Sequence, residues 1–457
     1  MVGTVFSYST FMPSRRSFLT TAATLALQSQ PKQPNFLFLL PDQWRPDWLP
    51  GNPQIPVQLP NIQALAARGM RFHKVLCASP LCAPSRACLA TGREYKNCGV
   101  ASNQHDFPLD QQTYYQSLKA AGYHTMACGK VDLHKKTLDW GLDGSRLLTE
   151  WGFSKGIDNA GKGDAVRSGA ETPKDPYMAM LHHRKLAAQH VGDFKKRRKY
   201  NATHTTPLPD DAYCDNWIAE NAKKLLQQAP TGKPWHLVVN FTGPHSPMDI
   251  TASMEKTART REYPQPNKNT EFDAATHSKI RQNYTAMCEN IDTRIGEIIA
   301  EVTRRGELDN TLIVFSSDHG EMLGDHDRWG KHVPYQASAG IPLLIAGLDT
   351  KKNQQTDALA SLIDIAATFL DYAGLEKLPQ MEARSLRPVL TGKTQKHREV
   401  LHSALEEWRL VWDGRHKLVE GYHQETMLFD LQNDPLENRN LVASEKVLAS
   451  RLRKQLN

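Results

Sequence analysis

No stretch of the 457-residue sequence approaches the ~18 consecutive apolar residues that a membrane-spanning helix requires, which excludes a helical membrane span. Cysteine is scarce. There are seven, an odd number over this length, which excludes a fold stapled by a disulfide framework. Charge of one sign is also in short supply, with a formal net charge of only +7. Part of that excess comes from Lys195-Lys196-Arg197-Arg198-Lys199, which reads as a solvated surface loop rather than a polyanion-binding patch, and no nucleic-acid partner is expected. What remains is ordinary for a globular protein, 40% hydrophobic and 23% charged, and long enough for one large domain and a smaller one.

The N-terminus bears on location. Ser14-Arg15-Arg16-Ser17-Phe18-Leu19 precedes a short, weakly apolar run to Leu27 and then Gln28-Ser29-Gln30-Pro31. This resembles a bacterial twin-arginine export signal, so residues 1–31 are expected to be an export signal and the product periplasmic or extracellular.

The rest of the chain is organised around Leu81-Cys82-Ala83-Pro84-Ser85-Arg86-Ala87-Cys88-Leu89-Ala90-Thr91-Gly92-Arg93. Pro84 suits a first helical turn and Gly92 a helix stop, placing Cys82 at a helix N-terminus. Unpaired N–H groups and the positive dipole end favour an oxyanion there, and Arg86 adds fixed charge one turn in. Cys-x-Pro-Ser-Arg, four residues, then Thr-Gly-Arg resembles the signature of type I sulfatases, in which the cysteine is oxidised to formylglycine and the hydrated aldehyde is the nucleophile.

In chain order, Asn35 to Leu40 is an apolar run typical of a strand buried on both faces, ending at Pro41-Asp42-Gln43. Helices are expected over 61–68, 113–121, 211–228, 280–306 and 358–372, and strands over 124–128, 235–241, 312–315 and 343–346. Residues 137–208 read as loop, and 249–277 as a polar rim loop. Near residue 395 the character changes to a hairpin over 408–419, a strand over 428–431 and a helix over 443–456. The organisation expected is therefore a catalytic domain over 32–395 and a small C-terminal α+β domain over 396–457.

Strands alternating with helices imply an α/β sandwich, whose ligands bind beyond the carboxyl ends of the strands. Four strand-like runs end in polar residues, delivering Asp42-Gln43, Lys130, His245 and Asp318-His319 to one rim. Asp42, Gln43 and Asp318 are hard oxygen donors suited to Ca²⁺ or Mg²⁺, and His319 adds a nitrogen that also suits Mn²⁺. Lys130 and Lys331 are point charges suited to sulfate oxygens, and His245 sits in the rigid segment Gly-Pro-His-Ser-Pro.

These stretches extend the resemblance to sulfatases of the alkaline phosphatase superfamily over nearly the whole chain after the signal. It implies that superfamily's fold, a mostly parallel central sheet between helices. Asn35 to Gln43 looks like the first metal loop, Gly129-Lys130 like Gly-Lys-x-His, Pro244-His245 like the substrate-side histidine, and Asp318-His319-Gly320-Glu321 with Gly330-Lys331 like the second metal loop and active-site lysine. Leu428-Phe429-Asp430-Leu431, Asp434-Pro435 and Glu437 resemble the family's ending. The resemblance implies hydrolysis of an organic sulfate, expected to be a sulfated small molecule or carbohydrate. Ca²⁺ (or Mg²⁺ or Mn²⁺) would be held by Asp42, Gln43, the modified Cys82, Asp318 and His319, with a formylglycine-installing enzyme as maturation partner. Arg86, Lys130 and Lys331 would stabilise developing charge, and His245 or Lys331 would protonate the leaving alcohol.

The sequence departs from the family pattern in three ways, one of them Cys88, which sits where a serine is common. Gln43 stands where many members have a second Asp, and Asp132 stands where Gly-Lys-x-His expects histidine, with His134 two residues on. The base that expels sulfate is then Asp132 or His134, and His134 is the choice. Two alternatives share the residues: a phosphonate monoester or phosphodiester hydrolase on the same scaffold, and a non-catalytic binder of sulfated glycans in which Cys82 stays a thiol.

Overall fold

A computed structural model describes residues 1–10, 33–197 and 199–456. The expected export motif at Ser14 to Leu19 and its apolar run lie outside the described residues, as does Arg198 of the basic cluster. Residues 1–10 form no helix or strand. From residue 33 the chain forms one compact unit.

The first part of that unit runs β1 (Asn35–Leu39), α1 (Pro60–Ala67), β2 (Gly69–Phe72), β3 (Val75–Leu76), α2 (Cys82–Thr91), α3 (Tyr114–Ala120), β4 (His124–Gly129) and β5 (Lys155–Asp158). Three short helices come next, α4 (Gly161–Gly169), α5 (Pro176–His183) and α6 (Ala187–Lys196), so the expectation of loop over 137–208 is corrected. Each has at most ten residues, and α4 carries three glycines, too little periodic sequence to announce a helix. After them lie α7 (Cys214–Gln228), β6 (Trp235–Asn240), α8 (Ala252–Ala258), α9 (Ala274–Arg304) and β7 (Thr311–Ser316). The expected rim loop thus contains a helix, α8, whose N-cap Thr251 accepts from Met254 N.

Beyond β7 lie α10 (Gln336–Ala339), β8 (Leu343–Ala346), β9 (Gln354–Thr356), β10 (Ala360–Ser361), α11 (Asp364–Tyr372) and α12 (Arg387–Leu390). The helix expected from 358 starts only at Asp364, because Ala360 and Ser361 pair in parallel with Val75 and Leu76. The C-terminal part is β11 (Leu401–Leu405), β12 (Trp408–Trp412), β13 (His416–Tyr422), β14 (Glu425–Asp430) and α13 (Lys446–Arg453). The expected hairpin is β12 with β13, and the boundary placed at 395/396 falls between α12 and β11.

The large sheet has eight strands in the order β5-β4-β6-β1-β7-β8-β2-β9. β8 alone runs antiparallel to its neighbours, β7 and β2. Alternate residues of each central strand face opposite layers, which is why the runs are apolar throughout. Leu37, Leu39, Leu237, Val239, Ile313 and Phe315 pack with Ile62 of α1, Ile218 of α7 and Ile291 of α9. Phe36, Phe38, Val238 and Val314 pack with Ala87 of α2, Leu118 of α3 and Phe369 of α11. Full burial of each such side chain contributes roughly 1.5–3 kcal/mol.

β4, β6, β1 and β7 are consecutive in the sheet and mutually parallel. Their carboxyl ends therefore lie on one rim, and these are the four runs that end in polar residues. The C-terminal sheet is an antiparallel meander. One face packs Leu410, Val419 and Phe429 against Leu76 and Leu81, and the other packs Val411, Leu418 and Leu428 under Leu452 of α13.

Candidate active site

Cys82 is the first residue of α2, a helix buried at every position and closed by Gly92 in the left-handed conformation (φ 66°). Glycine suits that φ without strain, and a Cβ there would lie 2.5 Å from Met381 Cγ. The thiol, 1% exposed, lies 3.3 Å from His319 Nε2, 3.3 Å from Lys331 Nζ and 4.0 Å from Asp42 Oδ1.

Asp42, Cys82, Asp318 and His319 each present a ligand atom, all within 4.8 Å of one another, and all four residues are buried. His319 Nδ1 faces the Gly320 carbonyl at 3.1 Å, so it donates there and leaves Nε2 bare toward the thiol. Two carboxylates, an unprotonated imidazole nitrogen and a sulfur position fit a divalent cation. Arg86 braces the set from below: Nε donates to Asp318 Oδ2 (3.0 Å), Nη2 to Asp42 Oδ2 (3.4 Å), and Nη1 to Lys130 O (2.6 Å) and Asn240 Oδ1 (3.0 Å). Lys130 Nζ also donates to Asp42 Oδ2. Arg86 is thus bonded to both carboxylates as well as to Lys130 O and Asn240 Oδ1.

Gln43 is tied to the same cluster through both its backbone and its side chain. Its backbone N–H donates to Asp318 Oδ1 (3.0 Å), while its side-chain amide accepts from Lys331 Nζ (2.6 Å) and donates to Glu321. Glu321 also accepts from Leu323 N (2.8 Å) and Gly330 N (2.6 Å), so it organises the loop that delivers Lys331. Lys331 uses its remaining donors on His245 Nε2 (2.6 Å) and Cys82 Sγ (3.3 Å). His245 Nδ1 faces Ser246 O at 2.5 Å.

His134 is not brought to the thiol. Its Nε2 faces Asp139 O at 3.2 Å, its Nδ1 lies 3.5 Å from Asp158 Oδ2, and its ring lies 5.2 Å from both Trp140 and Trp151. Burial lowers its pKa, which favours the neutral ring. Asp132 is wholly buried and bound to two lysines, Lys130 (3.2 Å) and Lys135 (2.7 Å).

Above Cys82 opens a cavity of about 210 Å³ whose walls include Lys130, Lys135, Lys162, Asp164, His245 and Lys331. Its walls carry four ammonium groups and one carboxylate, a lining that suits an anion. Burial alone would raise the Cys82 thiol, yet Lys130, Lys331, Lys135 and His319 bring it well below its ordinary value. For Asp42, burial and Cys82 push upward and are outweighed by Lys130, His245 and Lys331. Sequence reasoning missed Lys135, Lys162 and Asn240. Asn240 ends β6 and was open to the same strand-end rule, whereas a lone lysine in irregular sequence carries no signal.

A mostly parallel sheet with a cluster of candidate cation ligands at its carboxyl rim, under a lysine-walled cavity, is the arrangement that the resemblance to sulfatases of the alkaline phosphatase superfamily implies. The Sulfatase family profile matches residues 34–375, and the profile for N-sulphoglucosamine sulphohydrolase, C-terminal, matches 324–457. The chain belongs to the sulfatase family. It is 25% identical over 446 residues to an arylsulfatase of Clostridium perfringens, covering 91% of each chain. It is 27% identical over 438 residues to an ulvan-active sulfatase of Formosa agariphila, covering 92% of this chain and 79% of the relative. In fold it is similar to the phosphonate monoester hydrolase of Silicibacter pomeroyi, with a TM-score of 0.77, 24% identity, and coverage of 93% of this chain and 94% of the other.

Proposed function

We propose that this sulfatase hydrolyses a sulfate ester of a carbohydrate, using formylglycine made from Cys82 and a divalent cation, Ca²⁺ before Mg²⁺ or Mn²⁺. The observation that carries the proposal is the convergence of Asp42, Cys82, Asp318 and His319 within 4.8 Å beneath the cationic cavity. A cation held by those residues supplies Lewis acidity and lowers the pKa of a coordinated hydroxyl.

The chain's own residues do the rest. Arg86 and Lys130 keep Asp42 and Asp318 in place, so the ligand set is pre-organised. Lys331 Nζ holds the proton for the departing alcohol, and His245, accepting from it at Nε2, keeps the ammonium in place. A carbohydrate substrate is supported by the ulvan-active relative and by the lysine-rich walls of the cavity. Arg15-Arg16 supports export, with action outside the cytoplasm.

The test is turnover of an aryl sulfate by protein made in a host that installs formylglycine, with mass spectrometry of the peptide spanning Cys82. Cys82→Ala is expected to abolish turnover with the fold intact, and an unmodified thiol in an active preparation refutes the assignment. The matched aryl phosphonate ester, measured alongside, decides between sulfatase and phosphonate hydrolase action on this scaffold.

A further inference from the structure

The family-like motif beginning at Gly129-Lys130 lacks its histidine, and the fold puts something else in that place. Lys135 Nζ donates to Asp132 Oδ2 at 2.7 Å and lies 3.0 Å from Asp164 Oδ2. Lys130 Nζ lies 3.2 Å from the same Asp132 oxygen. Two ammonium groups thus share one carboxylate oxygen, and both lysines line the cavity with Cys82. Asp132 has no exposed surface and is absent from the cavity wall, so it stands behind the pair. Asp164 is itself anchored by Arg167 (2.8 Å), completing an alternating row Asp42, Lys130, Asp132, Lys135, Asp164, Arg167 from the metal ligands to the surface. His134, one residue before Lys135, points into the Trp140 and Trp151 pocket instead.

An ammonium has three donors, and Lys135 spends two on carboxylates held rigidly by the fold. The third is available to the cavity. A group fixed this way is a charge at a set position, unlike an ordinary mobile surface lysine. Asp132, shielded by two cations and away from the cavity, is ill placed to take a proton from a group at residue 82.

We propose that Lys135 is a sulfate-binding residue: paired with Lys130 across Asp132, it donates to a sulfuryl oxygen of the substrate, while Asp132 serves only to position the two lysines. The proposal rests on the sulfatase reading for its substrate but makes a claim about anion binding that is measurable without turnover. A residue that grips the sulfuryl group equally before and during reaction changes KM, whereas a base for sulfate release changes kcat.

The experiment uses the full-length, formylglycine-containing, metal-loaded protein. Inorganic sulfate binding is titrated by calorimetry for wild type, Lys135→Met and Lys135→Arg, and aryl sulfate kinetics are measured on the same preparations. Lys135→Met is expected to weaken sulfate binding and raise KM by about tenfold or more, which is about 1.4 kcal/mol, with kcat within threefold. Lys135→Arg, which keeps the charge, is expected to bind sulfate more tightly than Lys135→Met. Should Lys135→Met fail to fold, wild-type protein is acylated with an amine-directed reagent with and without sulfate, and sulfate is expected to protect Lys135 at least fivefold. Unchanged sulfate affinity in Lys135→Met, a loss confined to kcat, or acylation of Lys135 indifferent to sulfate overturns the proposal. Failure of wild type to cleave any sulfate ester, aryl or carbohydrate, overturns the proposed sulfate-ester hydrolysis instead, while the sulfate titration still decides the role of Lys135.

Discussion

The C-terminal sheet clamps the segment between Lys331 and α10, and breaking one contact there should reach the active site. Lys417 on β13 has no exposed surface, pairs with Glu437 and donates to Pro334 O at 2.8 Å. Glu437 accepts in turn from Gln336 N (2.6 Å), and Trp408 Nε1 donates to His332 O (3.0 Å). Burial lowers the Lys417 pKa even with Glu437 opposing it, so desolvation is the larger effect on this pair. Lys417→Met leaves Glu437 buried without its counter-charge, at a cost of about 3–5 kcal/mol. Adding Glu437→Gln removes the orphaned charge while keeping an acceptor for Gln336, and the double variant should lose only about 1–2 kcal/mol, the value of the missing hydrogen bond. The assay is urea unfolding followed by tryptophan fluorescence. A displacement of about 1 Å at Lys331 costs on the order of 10²-fold in rate, so kcat/KM for an aryl sulfate should fall at least tenfold in the single variant and recover partly in the double. A double variant as unstable as the single, or a single variant that loses less than about 1 kcal/mol, refutes the reasoning.

Other expectations are simpler to check. Asp42→Asn should weaken divalent cation binding by about tenfold or more in a calorimetric titration, because it removes a ligand charge. Burial, opposed by Arg398, raises the Glu94 carboxyl to about 7, so the folded state binds this proton more tightly than the unfolded one. Stability is then highest below the ordinary Glu range and falls as pH rises toward 7; Glu94→Gln should match wild type near pH 4 and exceed it by about 3 kcal/mol at pH 8, and a pH-independent difference in thermal midpoints contradicts this. Gly129→Ala should destabilise by at least ~2 kcal/mol in denaturant unfolding, since Gly129 has φ +96° and its Cβ would sit 2.0 Å from Asn240 O.

Much of the site was legible because strand ends in a parallel sheet carry the residues just beyond them to one rim. Asp42, Lys130, His245 and Asp318 each trail an apolar run whose pattern identifies the strand. The parts that escaped have no local pattern. Gly69–Phe72 is a four-residue strand, too short to stand out between a helix and a turn. Lys135 and Lys162 became cavity walls only through contacts with Asp132, Asp164 and Asp249, which no spacing encodes. His134 is the base expected from the resemblance to the Gly-Lys-x-His motif, and only the packing of Trp140 and Trp151 around its ring shows where it goes.

Helix α2 has no exposed face, and Cys82 at its start is covered on all but 1% of its surface. A macromolecule that must wrap around Leu81 to Arg93 to alter that thiol meets it only while the polypeptide is still open. Under the formylglycine proposal, conversion of Cys82 would therefore belong to the interval between synthesis and collapse, and an unconverted molecule that finishes folding would be locked out of repair. In a recombinant preparation, the active fraction should then be fixed at birth and should not rise on later incubation of the native protein with the modifying enzyme.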